Sequence, residues 1–170
     1  MKRTNTQLGR IRYLCYAAMI AAVYTVLTYV IGSFGLANGV IQLRLSEALC
    51  ILPVFLPAAI PGLTVGCFLS NLLLACPWQD VVFGALATLL GAIGTRLLKK
   101  FPLLSPLPAV LSNTLIIPFV LAFVYHAEEG LPFLFLSVGL GELLSAYICG
   151  ILLWSVLKKH ADRLFPTRKK

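Results

Sequence analysis

The stretch YLCYAAMIAAVYTVLTYVI, residues 13–31, decides the class of this protein, because it runs for nineteen residues without a charge. An α-helix rises about 1.5 Å per residue, so a run of this length crosses a hydrocarbon layer about 30 Å thick. The apolar core of a signal peptide is usually shorter, at about 7–15 residues. We therefore interpret residues 13–31 as a retained membrane helix.

The overall composition agrees with a membrane protein. Hydrophobic residues make up 59% of the 170 residues and charged residues only 12%, about half the charged share of a typical soluble domain. The length fits a single integral membrane domain over residues 1–170. The five cysteines lack paired spacing and are interpreted as small apolar side chains, so neither a metal nor a cofactor is expected.

Six apolar segments predict an all-α membrane protein with six transmembrane helices. The predicted helices span residues 13–32, 46–57, 61–76, 80–98, 105–125 and 132–158. The second and third are short for a membrane crossing, so they are expected to be tilted, packed inside the bundle, or joined as one broken hairpin. Asp80 is expected to cap the fourth helix or to lie in its first turn.

The basic residues predict how the helices are oriented. The net charge is +8, and thirteen of the fourteen Lys and Arg residues lie in three clusters, at residues 2–12, 96–100 and 158–170. Six crossings place all three clusters on one side, so the positive-inside rule predicts that both termini are cytoplasmic. No aromatic residues interleave with the basic ones, as base stacking would require, so no nucleic acid partner is expected.

Several polar residues lie within or beside the apolar segments. An ionisable group at membrane depth costs about 2.5 kcal/mol or more, so such groups indicate a polar ligand or an ion handled within the bilayer. The predicted topology brings a candidate substrate-binding set together in the outer half of the bundle: Arg44, Glu47, Asn71, Asp80 and Glu142. Asn113 comes from the inner half and fits this set less well.

Each candidate also has a structural alternative. Arg44 could pair with Glu47 or Glu142 to join helices, or it could extend its charged head to the membrane interface. Asp80 could serve only as a helix cap, and Asn71 could be a hydrogen-bonded tie between helices. Four aromatic residues could stack on a planar ligand or form an interfacial belt: Trp78, Phe83, Tyr125 and Phe133.

A stripe of small residues marks the first helix. Ala17 and Ala21, like Ala18 and Ala22, are four residues apart, and this spacing lets another helix approach closely. The stripe is predicted to be a docking surface for a partner subunit, with packing inside the same bundle as the alternative.

Five segments resemble the QueT family, whose members are substrate-binding S components of energy-coupling factor transporters for queuosine precursors. The segments are IQLRLSEALC at residues 41–50, AIPG at 59–62, GCFLSN at 66–71, DVVFGALATL at 80–89 and Gly-Glu at 141–142. The resemblance covers roughly residues 12–158, and residues 41–50 are its most specific part. The loop at residues 33–46 is short for a lid.

The resemblance implies an S-component bundle in the bacterial plasma membrane that takes up a 7-deazaguanine base, queuine or queuosine. Its implied partners are membrane lipid, a transmembrane coupling subunit that faces the alanine stripe, and two ATPases. Transport by this family is thought to tilt the whole subunit in the bilayer. A 7-deazaguanine offers two adjacent donors that one carboxylate accepts and a carbonyl that Arg44 or Asn71 could reach.

Two other functional classes compete with this interpretation. An autonomous proton-coupled carrier would use Glu142 as the titrating group, although no internal repeat of the usual carrier kind is apparent. A membrane enzyme is disfavoured because the sequence has no Ser-His or His-Glu-x-x-His pattern. No phosphate-binding loop of the G-x-x-x-x-G-K-[ST] type is present, so ATP hydrolysis would have to come from partner subunits.

Overall fold

The computed structural model of the chain describes residues 2–33 and 44–164, and all regular structure within them is helical. Six α-helices follow in order: α1 (Lys2–Ser33), α2 (Ala59–Leu73), α3 (Trp78–Leu97), α4 (Leu107–Phe123), α5 (Leu131–Glu142) and α6 (Gly150–Leu164). A 3₁₀ helix, Leu45–Val54, precedes α2, and a π-helical segment, Leu143–Cys149, joins α5 to α6. The predicted all-α membrane class is confirmed.

The helices differ in how far they can reach across a bilayer. Three segments are long and apolar enough to cross by length and composition: Gln7–Ser33, Trp78–Leu97 and Leu131–Ala161. The three shorter apolar helices are Leu45–Val54, Ala59–Leu73 and Leu107–Phe123. The six crossings and the cytoplasmic termini remain predictions.

The second predicted helix has a different geometry from the one expected. Residues 46–57 were expected to be α-helical, but Leu45–Val54 forms a 3₁₀ helix, a geometry that is uncommon over more than three or four residues. Pro53 lies inside it and has no N–H to donate to the preceding turn. Arg96 Nη1 on α3 donates to the carbonyl oxygens of Pro53 at 2.9 Å and Val54 at 3.1 Å. The last two carbonyl groups of the 3₁₀ helix therefore have a hydrogen-bond donor.

The predicted long helix at residues 132–158 is interrupted. The π-helical segment Leu143–Cys149 follows directly after Glu142, and π segments often mark functional sites. This segment packs against the 3₁₀ helix. Gly150, just after it, lies beside the 3₁₀ helix, and a Cβ there would make an ordinary contact at 3.7 Å with the carbonyl oxygen of Ala48.

Helices α1 and α2 pack at very short range through two glycines. A Cβ at Gly62 would lie 2.8 Å from the carbonyl oxygen of Ala17, and one at Gly66 would lie 2.8 Å from Tyr24 Cβ and 3.0 Å from the carbonyl oxygen of Ala21. The glycines therefore permit a backbone contact that any larger residue would prevent.

This contact divides the predicted docking stripe in two. Ala21 is buried against α2 and the Ala17 carbonyl lies beside Gly62, whereas Ala18 and Ala22 are exposed. Ala17 and Ala21 thus take the intramolecular packing role that was the alternative, and Ala18 and Ala22 remain accessible to a partner. The docking role itself remains a prediction.

We expect Gly66→Ala to loosen the α1–α2 contact, because its Cβ would meet Tyr24 Cβ and a backbone oxygen, neither of which can move freely. Gly139→Ala is the matched control, since its Cβ would lie 3.4 Å from Thr114 Cγ2, an ordinary contact, with the same gain in helix propensity. Unfolding in detergent should show Gly66→Ala less stable than the control by about 1–3 kcal/mol. Equal stability of the two variants would contradict the packing described.

Candidate functional site

A cavity of about 460 Å³ opens at the end of the bundle where the α2–α3 connection meets the end of α4 and the start of α5. Its volume lies within the range of about 300–1,000 Å³ typical of small-molecule sites. Its polar lining consists of Thr28, Arg44, Asn71, Asp80, Tyr125, Glu129 and Ser137, and its main apolar lining consists of Ile117, Leu121, Phe133, Leu134 and Val138.

Asp80 lines the cavity and carries one buried acceptor that is not satisfied by the described residues. It lies in the first turn of α3, where Pro77 is the N-cap, so Asp80 is a first-turn residue rather than the cap. Its side chain is only 3% exposed. Tyr125 Oη donates to Asp80 Oδ2 at 2.7 Å, while Oδ1 has no hydrogen-bond partner among the described residues. An unpaired buried carboxylate oxygen is costly, so it favours a ligand that donates to it.

Asn71 links α2 to α3 beside Asp80. Its Nδ2 donates to the Asp80 backbone oxygen at 3.4 Å, and the side chain is buried. Gly84 on α3 makes room for this amide, since a Cβ there would lie 2.9 Å from Asn71 Nδ2. The predicted tie between helices is therefore present, and the same residue also lines the cavity.

Arg44 lies at the start of the 3₁₀ helix and faces the cavity. Burial by itself would lower the pKa of the Arg44 guanidinium. The nearby negative groups, of which Asp80 has the largest effect, raise it by more, so the pKa of Arg44 lies above its ordinary value. The guanidinium thus stays cationic and can offer donors to an acceptor on a ligand.

Glu47 lies outside the cavity lining and is held by protein donors. It is 1% exposed, Tyr24 Oη donates to Oε1, and Cys50 Sγ donates to Oε2 at 2.9 Å. Because a 3₁₀ helix has three residues per turn, Cys50 lies directly over Glu47. Both carboxylate oxygens are occupied, so Glu47 supports the site from within the bundle in this structure.

Glu142 and Asn113 are neighbours deeper in the bundle. Both are buried, and Glu142 Oε2 and Asn113 Nδ2 each lack a hydrogen-bond partner in the described part of the chain. Glu142 also lies within electrostatic range of Glu47 and Arg44. The sequence placed Asn113 apart from the other candidates, whereas the helix packing brings it to Glu142.

The charges of this region do not balance. Three buried acidic side chains, those of Glu47, Asp80 and Glu142, share one neighbouring cation in the described ranges, Arg44. Excess negative charge in a region of low dielectric constant is stabilised by protons, by donors or by a bound cation. The site therefore suits a ligand that is rich in donors or carries a positive charge.

Some functional features could not be foreseen from the sequence. Tyr24, which holds Glu47, is not among the site residues predicted from the sequence. The only signal for it is its spacing from Ala17 and Ala21, which places all three residues on one helix face. Of the aromatic candidates, Tyr125 and Phe133 line the cavity, while Trp78 and Phe83 are absent from its lining and are 69% and 45% exposed.

Comparison with known proteins gives two matches. The sequence model described as QueT transporter matches residues 14–159. The queuosine precursor transporter QueT of Lactococcus lactis subsp. cremoris (strain MG1363) is 38% identical over 85 residues, which cover 49% of this chain and 50% of that protein. The matched part therefore spans about half the length of this curated relative. No solved structure matches the chain.

We expect Tyr24→Phe to destabilise the protein by about 1–3 kcal/mol, because it leaves Glu47 Oε1 buried without a donor. The same change in a Glu47→Met background should cost much less, since no carboxylate is then left unpaired. Unfolding of the unchanged protein, the two single variants and the double variant in detergent measures the coupling between the two residues. An equal cost in both backgrounds would show that this hydrogen bond does not hold Glu47.

Proposed function

Because the chain belongs to the QueT transporter family, we propose that it is the substrate-binding subunit of an importer for a queuosine precursor. The observation that carries this proposal is the cavity of about 460 Å³, which is lined by Arg44, Asn71 and Asp80. The name of the Lactococcus lactis relative supports the substrate class. The substrate is a 7-deazaguanine base or the related queuine or queuosine.

The cavity walls match the edges of a 7-deazaguanine. The ring N–H donates to the carboxylate of Asp80, and the ring carbonyl accepts from Arg44 or from the amide of Asn71; these three residues line the cavity. Charge-assisted hydrogen bonds of this kind are about twice as strong as neutral ones. Phe133 provides an aromatic wall for the flat face of the base. Ligands without these groups leave buried polar atoms unpaired and are rejected.

The buried carboxylate of Glu142, deeper in the bundle, favours a ligand that carries a positive charge. Glu142 Oε2 lies unpaired beside Asn113, and a cationic arm on the base would compensate the excess of acidic groups. Glu47 is already held by Tyr24 and Cys50, so we assign it the role of orienting the 3₁₀ helix and Arg44 rather than a first contact with the base.

Energy for uptake comes, in this proposal, from partner subunits of the energy-coupling factor type. The chain is a multi-pass protein of the plasma membrane with both termini in the cytoplasm, and a transmembrane coupling subunit connects it to two ATPases. The exposed pair Ala18 and Ala22 on α1 provides a smooth surface for that subunit.

A proton-coupled carrier is the second candidate, and the unpaired Glu142 Oε2 is the observation that favours it. Uptake of labelled base in cells with and without the coupling subunit and the ATPases separates the two mechanisms. The importer requires those subunits and tolerates a protonophore while ATP is maintained. Uptake that persists without them and stops with the protonophore would replace the importer by the carrier.

We expect Asp80→Asn to weaken binding of 7-deazaguanine by tenfold or more, about 1.4 kcal/mol or more, because the amide offers a weaker acceptor. Glu142→Gln should weaken the binding of an aminomethyl derivative by a similar factor. Glu128→Gln is the matched control, since it removes an exposed carboxylate, whereas the carboxylates of Asp80 and Glu142 are buried. Equilibrium binding to the purified variants measures all three effects. Unchanged affinity in Asp80→Asn would remove Asp80 from the site.

We expect Ala22→Trp to abolish co-purification with a coupling subunit while ligand binding survives, because Ala22 is exposed and is not part of the cavity lining. Ala21→Trp is the contrasting variant: it should impair folding and ligand binding as well, since Ala21 is buried against Gly66. Pull-down and binding assays on both variants provide the comparison. Normal co-purification of Ala22→Trp would exclude this face of α1 as the docking surface.

A further inference from the structure

Glu129 is the exposed acidic residue of the cavity lining. It lines the cavity together with Asp80, but the Asp80 side chain is buried, whereas Glu129 is exposed. Glu47 and Glu142 are buried and are not part of the lining. An exposed side chain changes rotamer quickly, so the Glu129 carboxylate can turn to a ligand in the cavity without any rearrangement of the helices.

The connection between α4 and α5 fixes where Glu129 lies. The Ala127 amide donates to the Leu121 carbonyl at 3.1 Å, which folds the chain back over the end of α4. On the other side, Gly130 is the N-cap of α5, and its carbonyl accepts from the Phe133 amide at 3.0 Å. Ala127 and Phe133 both line the cavity. Glu129 is therefore held between two wall residues whose backbone is hydrogen-bonded.

The charges of the lining leave one acidic group without compensation. Among the described lining residues, Arg44 is the one cationic side chain, and Asp80 and Glu129 are the acidic ones. Arg44 lies within electrostatic range of Asp80, so these two charges offset each other. The negative charge of Glu129 remains, and walls of low dielectric constant concentrate its field within the cavity.

The sequence supplies no other lysine or arginine near this region. Arg44 is the only one between residues 13 and 95, and none lies between residues 101 and 157. Arg96 is on the same helix as Asp80 but about 24 Å from it by helix rise. A cationic ligand would therefore supply the positive charge that this part of the chain lacks.

We propose that Glu129 determines specificity by binding the cationic substituent of a base held in the cavity. The inference rests on the proposed function and adds a residue to it: Glu142 favours a positive charge from deeper in the bundle, whereas Glu129 lies in the cavity wall. The competing explanation is structural. Glu129 precedes the N-cap of α5, and a negative charge near a helix N-terminus stabilises that helix.

The test compares two bases of similar shape and different charge. 7-Aminomethyl-7-deazaguanine is a cation, and 7-hydroxymethyl-7-deazaguanine is neutral. In Glu129→Gln the preference for the cation, measured as the ratio of the two dissociation constants, should fall by about three- to fivefold, the scale of a partly exposed ion pair. Glu129→Lys should lower it further. Glu128→Gln, the matched control, should change it much less, because Glu128 is exposed but is not part of the cavity lining.

Salt provides an independent measurement of the same contact. Charges that are exposed to solvent are screened by salt, with a Debye length of about 10 Å at 0.1 M, and buried charges are screened much less. The preference of the unchanged protein for the cationic base should therefore fall as the concentration of sodium chloride rises. In Glu129→Gln this salt dependence should be weaker.

The outcomes separate the role of Glu129 from the proposed function. An unchanged ratio in Glu129→Gln overturns the specificity role, because a residue that only stabilises α5 affects both bases alike. An equal loss of preference in Glu129→Gln and Glu128→Gln also overturns it, since the effect is then that of surface charge in general. Both results leave the proposed function standing. An unchanged protein that binds neither base overturns the proposed function, and the specificity role with it.

Discussion

The hydrogen bond from Tyr24 to Glu47 is the interaction around which the site is organised. Gly62 and Gly66 let α1 lie against α2, and this contact places the Tyr24 hydroxyl at a carboxylate buried in an apolar bundle. The bond joins α1 to the 3₁₀ helix, and Arg44 is the N-cap residue of that 3₁₀ helix. Without a donor, Glu47 would carry the full cost of burial. The position of Arg44 at the cavity therefore depends on a contact made deeper in the bundle.

The three buried acidic residues differ in how many of their carboxylate oxygens accept a hydrogen bond from the protein. Glu47 has donors on both oxygens, Asp80 on one, and Glu142 has an oxygen without a partner in the described part of the chain. A satisfied carboxylate contributes to the fold, whereas an unsatisfied one is stabilised when a ligand donates to it. Asp80 and Glu142 are therefore the carboxylates that the proposed function assigns to ligand binding, with Arg44 as the opposing charge; of the three, Asp80 and Arg44 line the cavity.

Hydropathy was sufficient to predict the helical class and the approximate ends of α2 to α4, and it drew attention to polar residues that the bundle buries, because burial in lipid imposes a strong compositional signal. It could not predict helix type. The 3₁₀ helix Leu45–Val54 contains Pro53 and accepts hydrogen bonds at its end from Arg96 of a distant helix, and the π segment after Glu142 packs against it. Hydropathy does not report contacts of this kind. Nor could it predict which face of α1 turns inward, since that rotation is fixed by the glycines of α2.

The most direct test of this account is equilibrium binding of a 7-deazaguanine base to the purified chain alone, in detergent, without nucleotide or partner subunits. The account predicts saturable binding at one site per chain, because the cavity and the unpaired acceptor at Asp80 belong to this chain. It also predicts that a base lacking the ring N–H fails to compete. Absence of saturable binding, or equal competition by that base, would contradict the claim that the cavity binds the base through Asp80.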